Sequence, residues 1–348
     1  MAEPAARLEA ADLVEGLYLG HALAALRTHG LTERLRTPAH PAELAADCRV
    51  DRHVLVGMLH YLAARTTLVS ATSPGRFVLS DGYDAQAAFL IDLYGRAFAP
   101  LAASVGTLLR RPGEGPRLVD RGAQSDAFTD DEGTGALTDL LGKLAFTSML
   151  DLGCGTGSVL RSLASRDLGF SGIGIDANPA MCRAGRRLGR EAGLGRRVRL
   201  VVGDARFPAR VVEPRARRGI EALLARDFVN ELCRDDGRRA IAWLRRLRRV
   251  FPGRALVVAD YYGRLGTPGE PTADRHVLLH DFVQLLSGQG IPPSDADGWE
   301  RLYAAAGCRL AAVIEDSRSP RFVHVVKLEP AHERSPPPLA GTPSERSQ

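Results

Sequence analysis

Lysine is almost absent from this chain. Lys143 and Lys327 are the only two in 348 residues, so arginine carries the net charge of +5. A basic balance raises nucleic acid as a partner. A general bias toward arginine, alanine and glycine accounts for it more simply. The clusters at 196–200 and 245–250 contain none of the interleaved aromatic residues that stacking on single strands needs. No nucleic-acid partner is expected. Long apolar runs are missing too, which leaves nothing to span a membrane. The first residues, MAEPAARLEAADLVEG, lack the basic start and apolar core of a secretory leader. The expectation is a cytoplasmic protein without a membrane partner. C-x-x-C pairs are also lacking. The five cysteines (Cys48, Cys154, Cys182, Cys233, Cys308) are scattered, which supports neither a disulfide framework nor a thiolate zinc site. No G-K-[ST] follows a glycine-rich turn, so a P-loop is excluded.

The richest stretch is Met149-Leu-Asp-Leu-Gly-Cys-Gly-Thr-Gly157. An apolar strand ends in Asp151, and Gly153, Gly155 and Gly157 alternate into a helix. Glycines there allow a tight turn and close approach of backbone to a ligand. The helix start offers free N–H groups and a positive dipole end to a carboxylate. The spacing D-x-G-x-G-x-G differs from the G-x-G-x-x-G of dinucleotide folds. It resembles the spacing found in enzymes that use S-adenosylmethionine. Two further strand ends carry aspartates. Asp176 closes GIGID, where a carboxylate can accept both ribose hydroxyls. Asp204 closes VRLVVGDA, placed to accept an adenine amino group, with the Ala205 N–H beside it. Asp151 itself can accept from the cofactor's amino group.

From 148 onward apolar strands alternate with helices (148–152, 171–175, 198–202, 220–225, 254–260, 309–315, 321–327), which predicts a mostly parallel α/β sheet covered on both faces. Before it, residues 6–29 have helical periodicity up to Gly30. PAELAADC and DRHVLVGMLHYLAAR start at Pro41 and Asp51, residues suited to helix N-termini. LVSATSPGRFVLSD predicts a hairpin. Three helices and a hairpin make a winged helix. Residues 85–109 return to helix, and RRPGEGP (110–116) has a linker's composition. The expected division is 1–115, 116–330 and a Pro/Ser-rich disordered tail at 331–348.

On these motifs residues 148–328 resemble class I S-adenosylmethionine-dependent methyltransferases. With the winged helix, all but the tail resembles the small-molecule methyltransferases that dimerise through that domain, such as plant phenolic and bacterial polyketide O-methyltransferases. The resemblance implies a Rossmann-like doubly wound sheet of seven strands, the last antiparallel. It also implies S-adenosylmethionine as cofactor and a homodimer formed through the N-terminal domain. A winged-helix DNA-binding regulator is the distant alternative, and the apolar 52–65 helix argues against it.

The acceptor should meet residues after the fourth and fifth strands of that sheet. In the phenolic enzymes the segment after the fourth resembles W-x-L-H-D-W, whose histidine is the base. Here Asn230 occupies the histidine position and Glu231 the aspartate position, and an asparagine cannot deprotonate a phenol. After the fifth strand, His276 and His280 share a helix face, and Asp281 adjoins the second. His280-Asp281 resembles the pair found in the branch that C-methylates α-keto acids. That resemblance implies a divalent or ferric metal, with His280, Glu231 and His276 as its possible ligands here. It also implies Arg121 as a carboxylate anchor, and Arg226 is a second candidate for the substrate. The catalytic candidates are therefore His280, Asp281, Asn230 and Glu231. Each also has a structural explanation: a satisfied helix histidine for His280 and His276, a surface arginine for Arg121. The expected activity is β-carbon methylation of an α-keto acid in specialised metabolism such as antibiotic biosynthesis. O-methylation of an aromatic or polyketide hydroxyl is the alternative.

Overall fold

The computed structural model describes residues 9–72, 75–128, 134–267, 275–315 and 319–330. The expected tail at 331–348 and the Ser73-Pro74 turn lie outside the described residues. The N-terminal region begins with helices Ala10–Thr28, Leu31–Arg34, Pro41–Cys48 and Arg52–Arg65. An antiparallel hairpin of β1 (Val69–Thr72) and β2 (Arg76–Leu79) follows. The Asp51 side chain accepts from Val54 N at 2.8 Å and starts the last of these helices. Leu55, Leu59 and Leu62 of that helix are buried with Leu26, Leu31, Leu35 and Phe77. Their i, i+4, i+7 spacing explains the fully apolar inner face.

Residues 85–127 join the two halves without a free linker. Helix Ala85–Leu90 widens into a π-helical turn, Ile91–Ala97. In place of the expected linker, Pro112–Glu114 forms a 3-10 turn and Gly115–Leu118 a helical turn. A Cβ on Gly115 would lie 1.9 Å from the Leu286 carbonyl oxygen. Its glycine therefore serves tight packing rather than flexibility.

The C-terminal half is built on one sheet of seven strands: β3 (Ser148–Leu152), β4 (Ser171–Asp176), β5 (Val198–Val202), β6 (Ala222–Arg226), β7 (Ala255–Tyr261), β8 (Arg309–Glu315) and β9 (Arg321–Lys327). Their order is β5-β4-β3-β6-β7-β9-β8. β3 to β7 pair in parallel, and β9 runs antiparallel to both neighbours. Every residue of β7 is buried, as expected of a central strand covered on both faces. One face packs under Trp243, Trp299 and Tyr303, and the other under Leu160, Leu163 and Phe170. The order reverses at β3, with β4 on one side and β6 on the other. A crevice opens at the carboxyl ends there, where open α/β sheets bind ligands. Among the described residues no helix is long and apolar enough to cross a membrane.

Candidate active site

A cavity of about 670 Å³ lies at this switch point. Its floor is the turn after β3. Gly153 N and Cys154 N both donate to Ile175 O, at 2.9 and 3.0 Å, and tie the turn to β4. Gly153 has φ +82°, and a Cβ there would come within 2.6 Å of the Phe228 ring. Gly157, at φ +72°, starts helix Ser158–Arg166. Gly155 N donates to Asp176 Oδ2 at 2.8 Å, and Asn178 N to Oδ1 at 2.7 Å. Asp176 thus braces the glycine turn against the next helix and still faces the cavity.

Asp151 is buried, on the same wall, and its Oδ1 has no hydrogen-bond partner among the described residues. Burial pushes its pKa up to about 7. Arg226 opposes that shift and Asp176 adds to it. A buried carboxylate oxygen left without a donor is costly, so the position suits a ligand that brings a cationic donor. The methionine ammonium of S-adenosylmethionine is such a group. Asp204 and Ala205 lie at the end of β5 but are not on the cavity wall. Arg206 grips both Asp204 oxygens, with Nε 2.9 Å from Oδ1 and Nη2 2.8 Å from Oδ2. Ala205 is buried, and its carbonyl accepts from Trp243 Nε1 at 3.2 Å.

The acceptor candidates separate in the fold. Glu231, in the 3-10 turn Asn230–Leu232 after β6, faces the cavity. Burial raises its pKa to about 7, with Arg121 opposing and Asp176 and Asp227 contributing. Arg226 also faces the cavity. Asn230 is buried behind the wall, with its N–H donating to Asp260 Oδ2 at 3.1 Å. His280 stands off the wall with both ring nitrogens engaged, Nδ1 by Tyr94 Oη and Nε2 by Gln284 Nε2, each at 2.9 Å. With the amide donating to Nε2, Nδ1 carries the proton and donates to Tyr94. Burial lowers the His280 pKa, while Asp227 and Asp281 oppose the shift. Asp281 is buried and accepts from Tyr261 Oη (2.8 Å), Arg264 N (2.6 Å) and Leu265 N (2.9 Å). It anchors the chain after β7. His276 is exposed.

The expected metal set His280, Glu231 and His276 does not converge. Among the described residues no three His, Cys, Asp or Glu side chains are grouped as ligands. Arg121 is exposed and donates to Gln124 Oε1 at 2.8 Å, although its charge reaches Glu231.

Residues without any motif complete the cavity. Arg27, Gln86, Phe89 and Asp92 come from the N-terminal half, and Asp227 and Arg321 from the ends of β6 and β9. Asp92 is buried and bonded to Arg27 and Arg96. It sits on the π-helical turn, a rare geometry that often marks functional sites. The sequence showed only a return to helix over 85–109, with no sign that this segment lines a cavity.

The sheet order is that of the class I methyltransferase fold, and the cradle of Asp151, the glycine turn and Asp176 suits S-adenosylmethionine as its cofactor. Residues 149–249 match the methyltransferase domain family. Methyltransferase ungE' of Aspergillus campestris is 31% identical over 170 residues, covering 47% of this chain and 48% of the relative. The chain thus spans about half the length of that curated relative. Among solved structures, the mitomycin 7-O-methyltransferase MmcR superposes with TM-score 0.65 at 19% identity, covering 91% of this chain and 96% of its own. NcsB1, an O-methyltransferase from neocarzinostatin biosynthesis in complex with S-adenosylmethionine and 2-hydroxy-5-methyl naphthoic acid, gives TM-score 0.59 at 19% identity, covering 92% and 99%. At these identities the structures establish a shared fold.

Proposed function

We propose that the protein methylates a small molecule of specialised metabolism, with Glu231 as the general base. The observation that carries this is Glu231 on the cavity wall with a carboxyl pKa near 7. A base poised near the working pH is the most effective. S-adenosylmethionine supplies an activated methyl on its sulfonium. The chain's part is to hold the acceptor in line with it, exclude water and take up a proton. Asp151 and Asp176 hold the cofactor end. Arg27, Phe89 and Asp92 line the same cavity from the N-terminal half, and Glu231 accepts the proton of the acceptor hydroxyl.

An oxygen acceptor is the first reading, because His280 and Asp281 are committed to other partners. The names of MmcR and NcsB1 support it by likeness. The second reading is methylation at the β-carbon of an α-keto acid. Arg226 on the same wall favours it, since a guanidinium fork suits a carboxylate. The test is incubation with methyl-labelled cofactor and a panel of hydroxyaromatics and 2-keto acids, with the methylated atom located by NMR. Transfer to oxygen supports the first reading, and transfer to carbon replaces it with the second. No transfer to either class defeats both.

Homodimerisation belongs to the same proposal. Helix Ala10–Thr28 leaves Leu13, Val14, Leu17 and Tyr18 more than half exposed, and contiguous apolar surface of this kind marks an interaction site. Light scattering should give twice the chain mass; a monomer at micromolar concentration would refute it. A cytoplasmic location goes with the reading of a biosynthetic enzyme.

A further inference from the structure

Asp227, the residue after β6, has φ +49°. Its N–H donates to Ala259 O at 2.9 Å and pins the strand end to β7. Aspartate and asparagine tolerate left-handed backbone better than most side chains. Such outliers collect at functional sites when the surroundings enforce them. The turn brings the Asp227 carboxylate between two guanidiniums. Arg226 Nε lies 3.4 Å from Oδ2, and Arg321 Nη2 is hydrogen-bonded to Oδ1. Arg226 ends β6, whereas Arg321 begins β9. Only the antiparallel run of β9, which pairs Arg321 with Tyr261, brings that residue to the carboxyl edge of the sheet. All three side chains line the cavity that Glu231 faces.

Two guanidiniums side by side repel each other. A carboxylate between them offsets one charge, so two arginines and one aspartate leave a net of one positive charge. Burial would raise the Asp227 carboxyl, yet Arg321 and Arg226 together hold it below its usual range, so it stays ionised. Arg321 is about half exposed on its side chain and stays open to a ligand, while Arg226 is about as covered as Asp227 but still reaches the cavity wall. The Arg121 guanidinium, by contrast, is turned to Gln124 and is off the wall.

We propose that Arg226 and Arg321, aligned by Asp227, form a clamp for the carboxylate of a small monocarboxylic acceptor. Arginine forks match a carboxylate bidentately, and with Asp176, Asp227 and Glu231 lining the same cavity a second acceptor carboxylate would meet like charge. The inference rests on the reading of this cavity as the acceptor site.

The test is calorimetric binding to the full chain loaded with S-adenosylhomocysteine. Phenylpyruvate and salicylate are each compared with the corresponding primary amide, and inorganic phosphate serves as the control anion. Each acid should bind at least tenfold tighter than its amide. Arg321→Gln should erase that preference while leaving S-adenosylhomocysteine affinity within twofold, because Arg321 braces no part of the glycine turn. Asp227→Asn keeps a residue that tolerates the turn and should also reduce the preference. Arg321→Lys, with charge but no fork, should fall between. Equal binding of acid and amide, no acid bound at millimolar concentration, preference surviving both Arg321→Gln and Asp227→Asn, or equal binding of phosphate would overturn the clamp. If either variant fails to fold, the wild-type comparison and Arg226→Gln decide alone. Retained acid preference without methyl transfer would defeat the proposed activity and leave the clamp standing.

Discussion

Cofactor binding should release a proton from Asp151. In the free protein its carboxyl sits at about 7 because burial strips it of solvent and Oδ1 has no donor. A cationic ammonium beside that oxygen favours the ionised form and draws the pKa down. The ionised fraction of the free protein is roughly ten parts in eleven at pH 8 and one in eleven at pH 6. Affinity should therefore fall about tenfold between those values, a change of ~1.4 kcal/mol. The sign follows from the raised pKa: affinity is full above 7 and is lost as pH falls through it. S-adenosylhomocysteine is the ligand of choice, since its ammonium stays protonated over this range. Calorimetry in phosphate and in Tris at pH 7 should show about half a proton released per site. Asp151→Asn should bind more weakly at pH 8 and lose the pH dependence assigned to this group. A wild-type affinity that is flat from pH 6 to 8, or an unchanged slope in the asparagine variant, would refute the assignment.

Glu231→Gln should lower kcat by about 10²–10⁴ with little change in S-adenosylhomocysteine affinity, as loss of a general base does. A kcat within threefold of wild type would remove Glu231 from the mechanism. Asp281→Ala strands the Tyr261, Arg264 and Leu265 donors. It should cost about 3 kcal/mol of stability, read as a lower urea midpoint; loss of activity without that shift would restore a catalytic role. His324 is buried between Tyr303 and Tyr262, and burial holds its pKa near 4. The unfolded chain takes up a proton below about 6.5 while the fold resists it, so stability is lost as pH falls from there toward 4. Relative to His324→Gln, the wild type should lose about 2 kcal/mol more between pH 7 and pH 5. Parallel urea midpoints across that range would contradict it.

The strands were legible because each is a short apolar run bounded by turn residues. β3, β5, β8 and β9 span the expected residues, β4 runs one residue longer, and β6 and β7 are shifted by one or two residues at both ends. The segment 110–116 was misleading because proline and glycine mark tight packing as well as linkers, and Gly115 against Leu286 is the former. His280-Asp281 drew attention as an adjacent pair of catalytic residue types. On the helix Arg275–Leu286 successive side chains point about 100° apart. Asp281 therefore enters the Tyr261 and Arg264 network while His280 turns to Tyr94. Asp227 and Arg321 carried no signal: one is an aspartate in a loop, the other one arginine among many.

By itself the sequence determined the alternation of strand and helix, the glycine turn after Asp151 and, through them, the cofactor class. Those features are local, since a strand, a turn and a helix start are written in consecutive residues. The proposed acceptor site is not local. It joins Arg27 and Asp92 from the N-terminal half, Arg226, Asp227 and Glu231 after β6, and Arg321 from the antiparallel β9. Only the tertiary structure decided which of the many charged side chains share a wall, because their meeting depends on sheet order and strand direction rather than on spacing along the chain.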